Sequence, residues 1–150
     1  TGRQMAAAMT MGAAGAWCGS VWLTTAEAET LPTVKQKMLT ATSRHTVRSR
    51  SRTGKPTRQL RSAWTDAWAQ ENAPQPLPMP LQGLISEPAL GRISKLSESG
   101  HEGAKALATY WVGQAVGLMN EPTTSKQVVY DFMEDFGLAI ERVSGLIEKN

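Results

Sequence analysis

The stretch Met11-Gly12-Ala13-Ala14-Gly15-Ala16-Trp17-Cys18-Gly19-Ser20 follows an alanine-rich run and precedes Val21-Trp22-Leu23. Alanine and methionine favour a helix from Arg3 to Met11, read as short and buried, and Gly12 sits where a left-handed C-cap is wanted. Beyond Gly15, Ala16 to Leu23 is uncharged, of strand length and rich in β-formers, which predicts a strand buried on both faces. Thr24 and Glu27 have capping-box spacing, and Pro32 to Thr42 reads as a second helical piece. Helix, glycine turn, buried strand, helix is the order of an α/β protein with a parallel sheet.

The uncharged run Gln4 to Ala26, behind Arg3, has to be weighed as a signal peptide or membrane span. Gln4, Thr10, Gly12, Gly15, Gly19, Ser20, Thr24 and Thr25 interrupt it, and its bulk is alanine. Its transfer energy falls short for the roughly twenty apolar residues a bilayer requires. No membrane or export role is expected.

Farther along, the α/β order stops. Thr46 to Thr53 sets Val47, Ser49 and Ser51 against Arg48, Arg50 and Arg52, the alternation of an edge strand or extended arm. Gly54-Lys55-Pro56 reads as a turn, and Thr57 is placed to cap a helix running to about Gln70. On that helix Leu60, Ala63, Trp64, Ala67 and Trp68 would share one face, and a tryptophan stripe at this spacing reads as core. Pro74, Pro76, Pro78 and Pro80 forbid a helix over Ala73 to Pro80. Ser86 to Lys95 reads as a short helix, and Ser97 to Gly103 as a polar break. Two glycines within Tyr110 to Gly117 imply close backbone approach. Thr124 or Ser125 caps the clearest helix, whose Val129, Phe132, Met133, Phe136, Ile140, Val143 and Ile147 form a stripe that needs a large partner surface.

Composition narrows the function. At 150 residues, 41% hydrophobic and 19% charged, the chain suits a folded protein of about one domain. It starts at Thr1, already within a helical pattern, so it is expected to be a piece of something longer. The single cysteine, Cys18, excludes an internal disulfide framework and a multi-cysteine metal site, and favours a reducing, cytoplasmic setting. Inside an apolar run its thiol reads as packing rather than as a nucleophile. His45 and His101 lie far apart; Glu98 and His101 have ligand-like spacing, but in a glycine-flanked polar break they read as solvated loop residues, and no metal site is expected.

The net charge of +3 is unevenly placed. No acid occurs between Glu29 and Asp66, while Lys35, Lys37, Arg44, Arg48, Arg50, Arg52, Lys55, Arg58 and Arg61 all fall there. Such a block marks either a solvated face or contact with phosphate or nucleic acid. A basic nucleic-acid-binding module is therefore one reading, but no aromatic is interleaved from Thr46 to Arg61 to stack on bases, and no nucleic-acid partner is expected. Gly54-Lys55 lacks the upstream glycine, the following hydroxyl and the leading strand of a phosphate loop.

Gly19 and Ser20, at the end of the expected strand, are more suggestive. In a (β/α) barrel, the loops after the last strands grip a phosphate through backbone N–H groups and a small hydroxyl. Here the chain resembles the nitronate monooxygenase family. Thr1-Gly2-Arg3-Gln4-Met5-Ala6-Ala7-Ala8 and Met11 to Ser20 are similar to its last helix-strand unit. Thr53-Gly54-Lys55-Pro56-Thr57-Arg58 with Leu60-Arg61, Pro78-Met79-Pro80-Leu81-Gln82 and Trp111-Val112-Gly113-Gln114 resemble three later segments, in the right order.

The resemblance implies an α/β fold: the C-terminal part of an FMN-binding (β/α)8 barrel, with a mostly helical domain inserted after the eighth strand. Residues 1–24 would be the last helix-strand unit, 25–122 the insert, and 123–150 a terminal helix returning to the barrel. Trp17, Cys18, Gly19 and Ser20 fall on the flavin-phosphate positions; Trp17-Cys18 stands where the family has Gln-Met, and Ser20 where it has Thr. The family's catalytic histidine would lie upstream of Thr1, so no catalytic residue is assigned here and neither His45 nor His101 takes that role. The implied reaction is oxidation of an alkyl nitronate, a small-molecule substrate, by O2 to a carbonyl compound and nitrite. An NAD(P)H-dependent enoyl reductase on the same barrel is the alternative within the class.

Overall fold

A computed structural model describes residues 1–147. Two compact units divide the chain: Thr1–Ala28 together with the chain from Thr123 onward, and Glu29–Pro122. The expected range 123–150 therefore includes Glu148, Lys149 and Asn150, which lie outside the described residues.

The first unit pairs two helices, α1 (Gly2–Thr10) and α6 (Ser125–Ile147). At the end of α1, Ala13 N–H donates to Ala8 O at 3.1 Å and Gly12 N–H to Met9 O at 2.9 Å, with Gly12 at φ +100°. That closing pattern needs a left-handed residue, which is why glycine follows the helix. The helix is buried only along Gly2 and Ala6, while Met9 and Met11 are exposed, so it is less enclosed than its composition predicts. Thr124 caps α6 by accepting from Gln127 N–H, and Val128 is buried. Thr24 ends the 3₁₀ turn Ser20–Thr24 and starts no helix, and Glu27 reaches α6. Its Oε2 accepts from Ser125 N–H at 2.8 Å and Ser125 Oγ at 3.1 Å, placing a carboxylate at the positive end of α6.

The helices meet closely at Gly2, where any Cβ would collide with Phe132 O and crowd Phe136 N. Beside that contact Asp135 accepts from Arg3 N–H at 2.9 Å, Nε at 3.0 Å and Nη2 at 2.9 Å. The Arg3 hydrogen bonds and charge hold the Asp135 carboxyl below its ordinary range. A depressed carboxyl contributes stability that is full above the unfolded value and is lost as pH falls through the folded one. Asp135→Asn should therefore melt slightly lower near neutrality, with the gap to the parent closing below the usual carboxylate range. Arg3 is exposed and Asp135 partly so, and added salt should narrow the gap too. Thermal melts over pH and salt check both trends.

The strand expected from Ala16 to Leu23 does not form. Met11 to Trp17 are all exposed, and Ser20–Thr24 wind into a 3₁₀ turn instead. A doubly buried strand needs neighbours on both edges to pair its backbone, and among the described residues the run has none. The parallel pairing present here is one isolated bridge, Thr25 to Thr123.

The second unit contains α2 (Pro32–Leu39), β1 (Thr46–Ser49), β2 (Thr57–Leu60), α3 (Ala63–Ala67), α4 (Leu81–Glu98) and α5 (Glu102–Leu107). Val34, Met38, Leu60, Leu90, Ala104, Val112 and Val116 are among its buried apolar residues. Only the first half of the alternating run becomes a strand, β1, antiparallel to β2 in the register Thr46–Leu60 to Ser49–Thr57, while Ser51 to Thr53 already turn. The helix expected from Thr57 to Gln70 is corrected by the same pairing. Thr57 to Leu60 hydrogen-bond β1 on one side, and on the other Leu60 N–H donates to Tyr110 O and Val112 N–H to Arg58 O. Non-local pairing thus overrides a favourable cap, and the helix shortens to α3. Trp64 and Trp68 meet with tilted rings, centroids 5.9 Å apart, and remain half-buried, while Thr65 is the buried side chain of α3, so the tryptophan stripe is not the core.

The proline-rich segment is irregular, as expected, and ends where α4 begins, earlier than Ser86. Lys37 reaches the end of α5, donating to Ala106 O at 3.2 Å and Ala108 O at 2.9 Å; partial burial lowers its pKa from the ordinary lysine value. No helix among the described residues is long and apolar enough to cross a membrane.

Candidate functional site

Trp17, Cys18 and Gly19 lie on the link between α1 and the 3₁₀ turn, and Ser20 opens that turn. Trp17 is fully exposed, Cys18 and Ser20 are half-buried, and Gly19 is the residue from which the turn starts. Cys18 is a free thiol on this link rather than packing within a strand. The indole N–H of Trp22 donates to Cys18 O at 2.7 Å, and Trp22 N–H to Gly19 O at 3.4 Å. These bonds fix the backbone on either side of Gly19. A Cβ built at Gly15 or Gly19 meets no atom within 4 Å, so the backbone there is open to close approach by a ligand. Open glycine backbone followed by a hydroxyl suits a phosphate group, which takes N–H and O–H donors.

Neither histidine lies in this segment. His45 Nδ1 accepts from Thr42 N–H at 3.0 Å, and His101 Nδ1 accepts from Ala104 N–H at 3.2 Å at the start of α5. Each imidazole thereby caps a turn through its Nδ1. Glu98 ends α4 and accepts from Thr33 N–H at 3.3 Å. Among the described residues no group of three or more His, Cys, Asp and Glu side chains is placed to hold a metal ion.

The three later segments singled out in the sequence come together in the second unit, around a residue the sequence did not single out. Arg52 is 9% exposed; its Nε and Nη2 donate to Glu87 at 2.7 and 3.0 Å, and its guanidinium lies 3.7 Å from the Trp111 ring centroid. Next to it, buried Gln82 donates to Ser51 O at 2.8 Å and accepts from Leu77 N–H at 3.0 Å. Gly54, at φ +82°, packs on the backbone of Leu77 to Met79 so closely that a Cβ would overlap Leu77 O. Only alternation marked Arg52, and alternation cannot say which of three arginines turns inward.

Comparison with known proteins decides the family. The nitronate monooxygenase family profile matches residues 1–135. The chain belongs to the nitronate monooxygenase family. Among curated proteins it is 54% identical over 151 residues to a provisionally named monooxygenase of Mycobacterium tuberculosis, Rv1533. That alignment takes in 99% of this chain and 40% of the relative, so the chain spans less than half the length of the protein it matches. Among solved structures, nitroalkane oxidase from Streptomyces ansochromogenes matches at TM-score 0.75 and 22% identity, over 95% of this chain and 38% of the other. FabK from Thermotoga maritima matches at TM-score 0.69 and 28% identity, over 97% of this chain and 44% of the other. This member of the nitronate monooxygenase family therefore shares its fold with parts of two larger proteins.

Proposed function

We propose that this chain is the C-terminal part of an FMN-dependent oxidoreductase that converts alkyl nitronates with O2 to carbonyl compounds and nitrite. Trp17, Cys18, Gly19 and Ser20 hold the flavin phosphate in this reading. The observation that carries it is the open glycine backbone at Gly15 and Gly19, ending in the Ser20 hydroxyl, within the segment that matches the family. Bound FMN would supply the redox chemistry. The chain's own part would be binding: the glycines would admit the phosphate and Ser20 would donate to it, while the Trp22 indole N–H holds the Cys18 carbonyl. No catalytic group is assigned to this chain in this reading.

The reading takes residues 1–24 as the last helix-strand unit of a (β/α)8 barrel, its strand forming only against neighbouring barrel strands, 25–122 as the insert and 123–150 as the terminal helix. A barrel of this class takes about 250 residues. The packing of α1 on α6 supports grouping the two ends, and the exposed Val129, Met133, Ile140, Val143 and Ile147 on α6 fit a surface that further barrel elements would cover. The same proposal sets the enzyme in the cytoplasm, acting on a small molecule.

Flavin retention in the purified full-length protein tests the site. Ser20→Ala should weaken FMN binding roughly ten- to a hundredfold, the equivalent of one charge-assisted hydrogen bond at about 1.5–3 kcal/mol. Gly19→Val together with Ser20→Val should release it. Undiminished flavin absorbance in the double variant overturns the site, and a flavin-free parent overturns the cofactor. The likeness to FabK shows the scaffold in a differently named protein, which favours keeping an NAD(P)H-dependent enoyl reductase as second reading. Turnover of a nitronate against an enoyl thioester separates the two.

A further inference from the structure

The basic block is resolved into a specific arrangement. Arg48 on β1 and Arg58 on β2 are register partners, directly opposite each other on one face of the ribbon. Side chains so placed have Cβ atoms about 4.5–5.5 Å apart, and like charges there repel. Arg58 is half-buried and spends one N–H on Thr46 Oγ1 at 3.0 Å; Arg48 is exposed. Glu87 pairs with Arg52 and Asp66 with Arg61. Among the described residues, neither Arg48 nor Arg58 has a carboxylate partner. Arg44, just before β1, and Lys55, in the turn joining the strands, add charge to the same ribbon.

We propose that the Arg48–Arg58 pair binds a phosphate dianion, free or carried as a phosphomonoester on a small molecule. Two planar guanidiniums on one face offer several parallel N–H donors, a match for a tetrahedral dianion that bridges them and removes their repulsion. One cation pair spans one phosphate. A nucleic acid would need a longer track and stacking surfaces, and the ribbon segment from Thr46 to Arg61 has no aromatic residue. The proposal is independent of the flavin site, which lies on other residues.

The test is the melting temperature of the full-length protein at low ionic strength, with inorganic phosphate, adenosine 5′-monophosphate and an oligo(dT) series. A ligand that binds the folded state raises the melting point with concentration. The parent should gain several degrees with either phosphate probe; a gain from both marks free phosphate as sufficient, and a gain from the monophosphate alone marks the esterified form. Arg48→Glu should melt higher than the parent without phosphate, because it replaces a repulsion by an ion pair, and should lose the phosphate-dependent gain. Arg48→Gln, which disturbs no hydrogen bond, should lose the gain while staying folded. No gain in the parent, or an equal gain in both variants, overturns the proposal. Binding to oligo(dT) that tightens with length and survives Arg48→Gln overturns it in favour of nucleic acid.

Discussion

Gly54→Val should destabilise the second unit by about 3 kcal/mol or more. The backbone at Gly54 has φ +82°, and its missing side chain is where Leu77 O and Met79 N already sit. A left-handed conformation costs an L-residue roughly 1–2 kcal/mol, more when β-branched, and forced overpacking adds typically 1–3 kcal/mol. Neither neighbour can yield cheaply, because both are main chain, and Leu77 N–H is itself held by Gln82 Oε1. At about 2–4 °C per kcal/mol for a chain of this size, the melting temperature should fall by roughly 6–12 °C. Gly54→Ala should move it in the same direction by less. A valine variant that melts with the parent would contradict this contact.

Arg52→Ala should cost a similar amount, about 3 kcal/mol, for different reasons. Truncation removes two charge-assisted bonds to Glu87, worth about 1.5–3 kcal/mol, and the stack on Trp111, worth about 0.5–2 kcal/mol. Glu87 is half exposed, so water can take over its carboxylate once the guanidinium is gone, and the loss stays below that of a fully buried pair. Arg52→Lys keeps the charge but lacks the planar fork, and should recover under half of the loss. Denaturant titration gives the energies. Near-ultraviolet circular dichroism should report a changed Trp111 environment in the alanine variant and a smaller change in the lysine variant.

What was legible in the sequence was local chemistry. Gly12 behind an alanine helix, Thr124 ahead of the stripe of α6, the Gly54 turn and the proline-rich connector all depend on a few adjacent residues. What was not legible depends on residues far away. Thr57 to Leu60 joins a ribbon because β1 and Tyr110–Val112 supply its hydrogen bonds, and no window around Thr57 contains them. Glu27 reaches Ser125 for the same reason. The run Ala16 to Leu23 has the composition of a buried strand without a described neighbour to pair with, and it turns at Ser20 instead. For the candidate site, Gly19 and Ser20 were visible through resemblance and their order, not through any pattern of charge. The Arg52 cluster was invisible because its members, Arg52, Glu87 and Trp111, meet only after folding.

The first unit is assembled from the two ends of the described chain, with Gly2 against Phe132 and Arg3 against Asp135. During synthesis, α1 therefore leaves the ribosome well before α6 exists, whereas Glu29–Pro122 can form its internal contacts as soon as that stretch emerges. Domains form as units and distant pairings form late. The middle of the chain should thus consolidate first and carry its two flanks together, leaving the Trp17–Ser20 link among the last features to take shape.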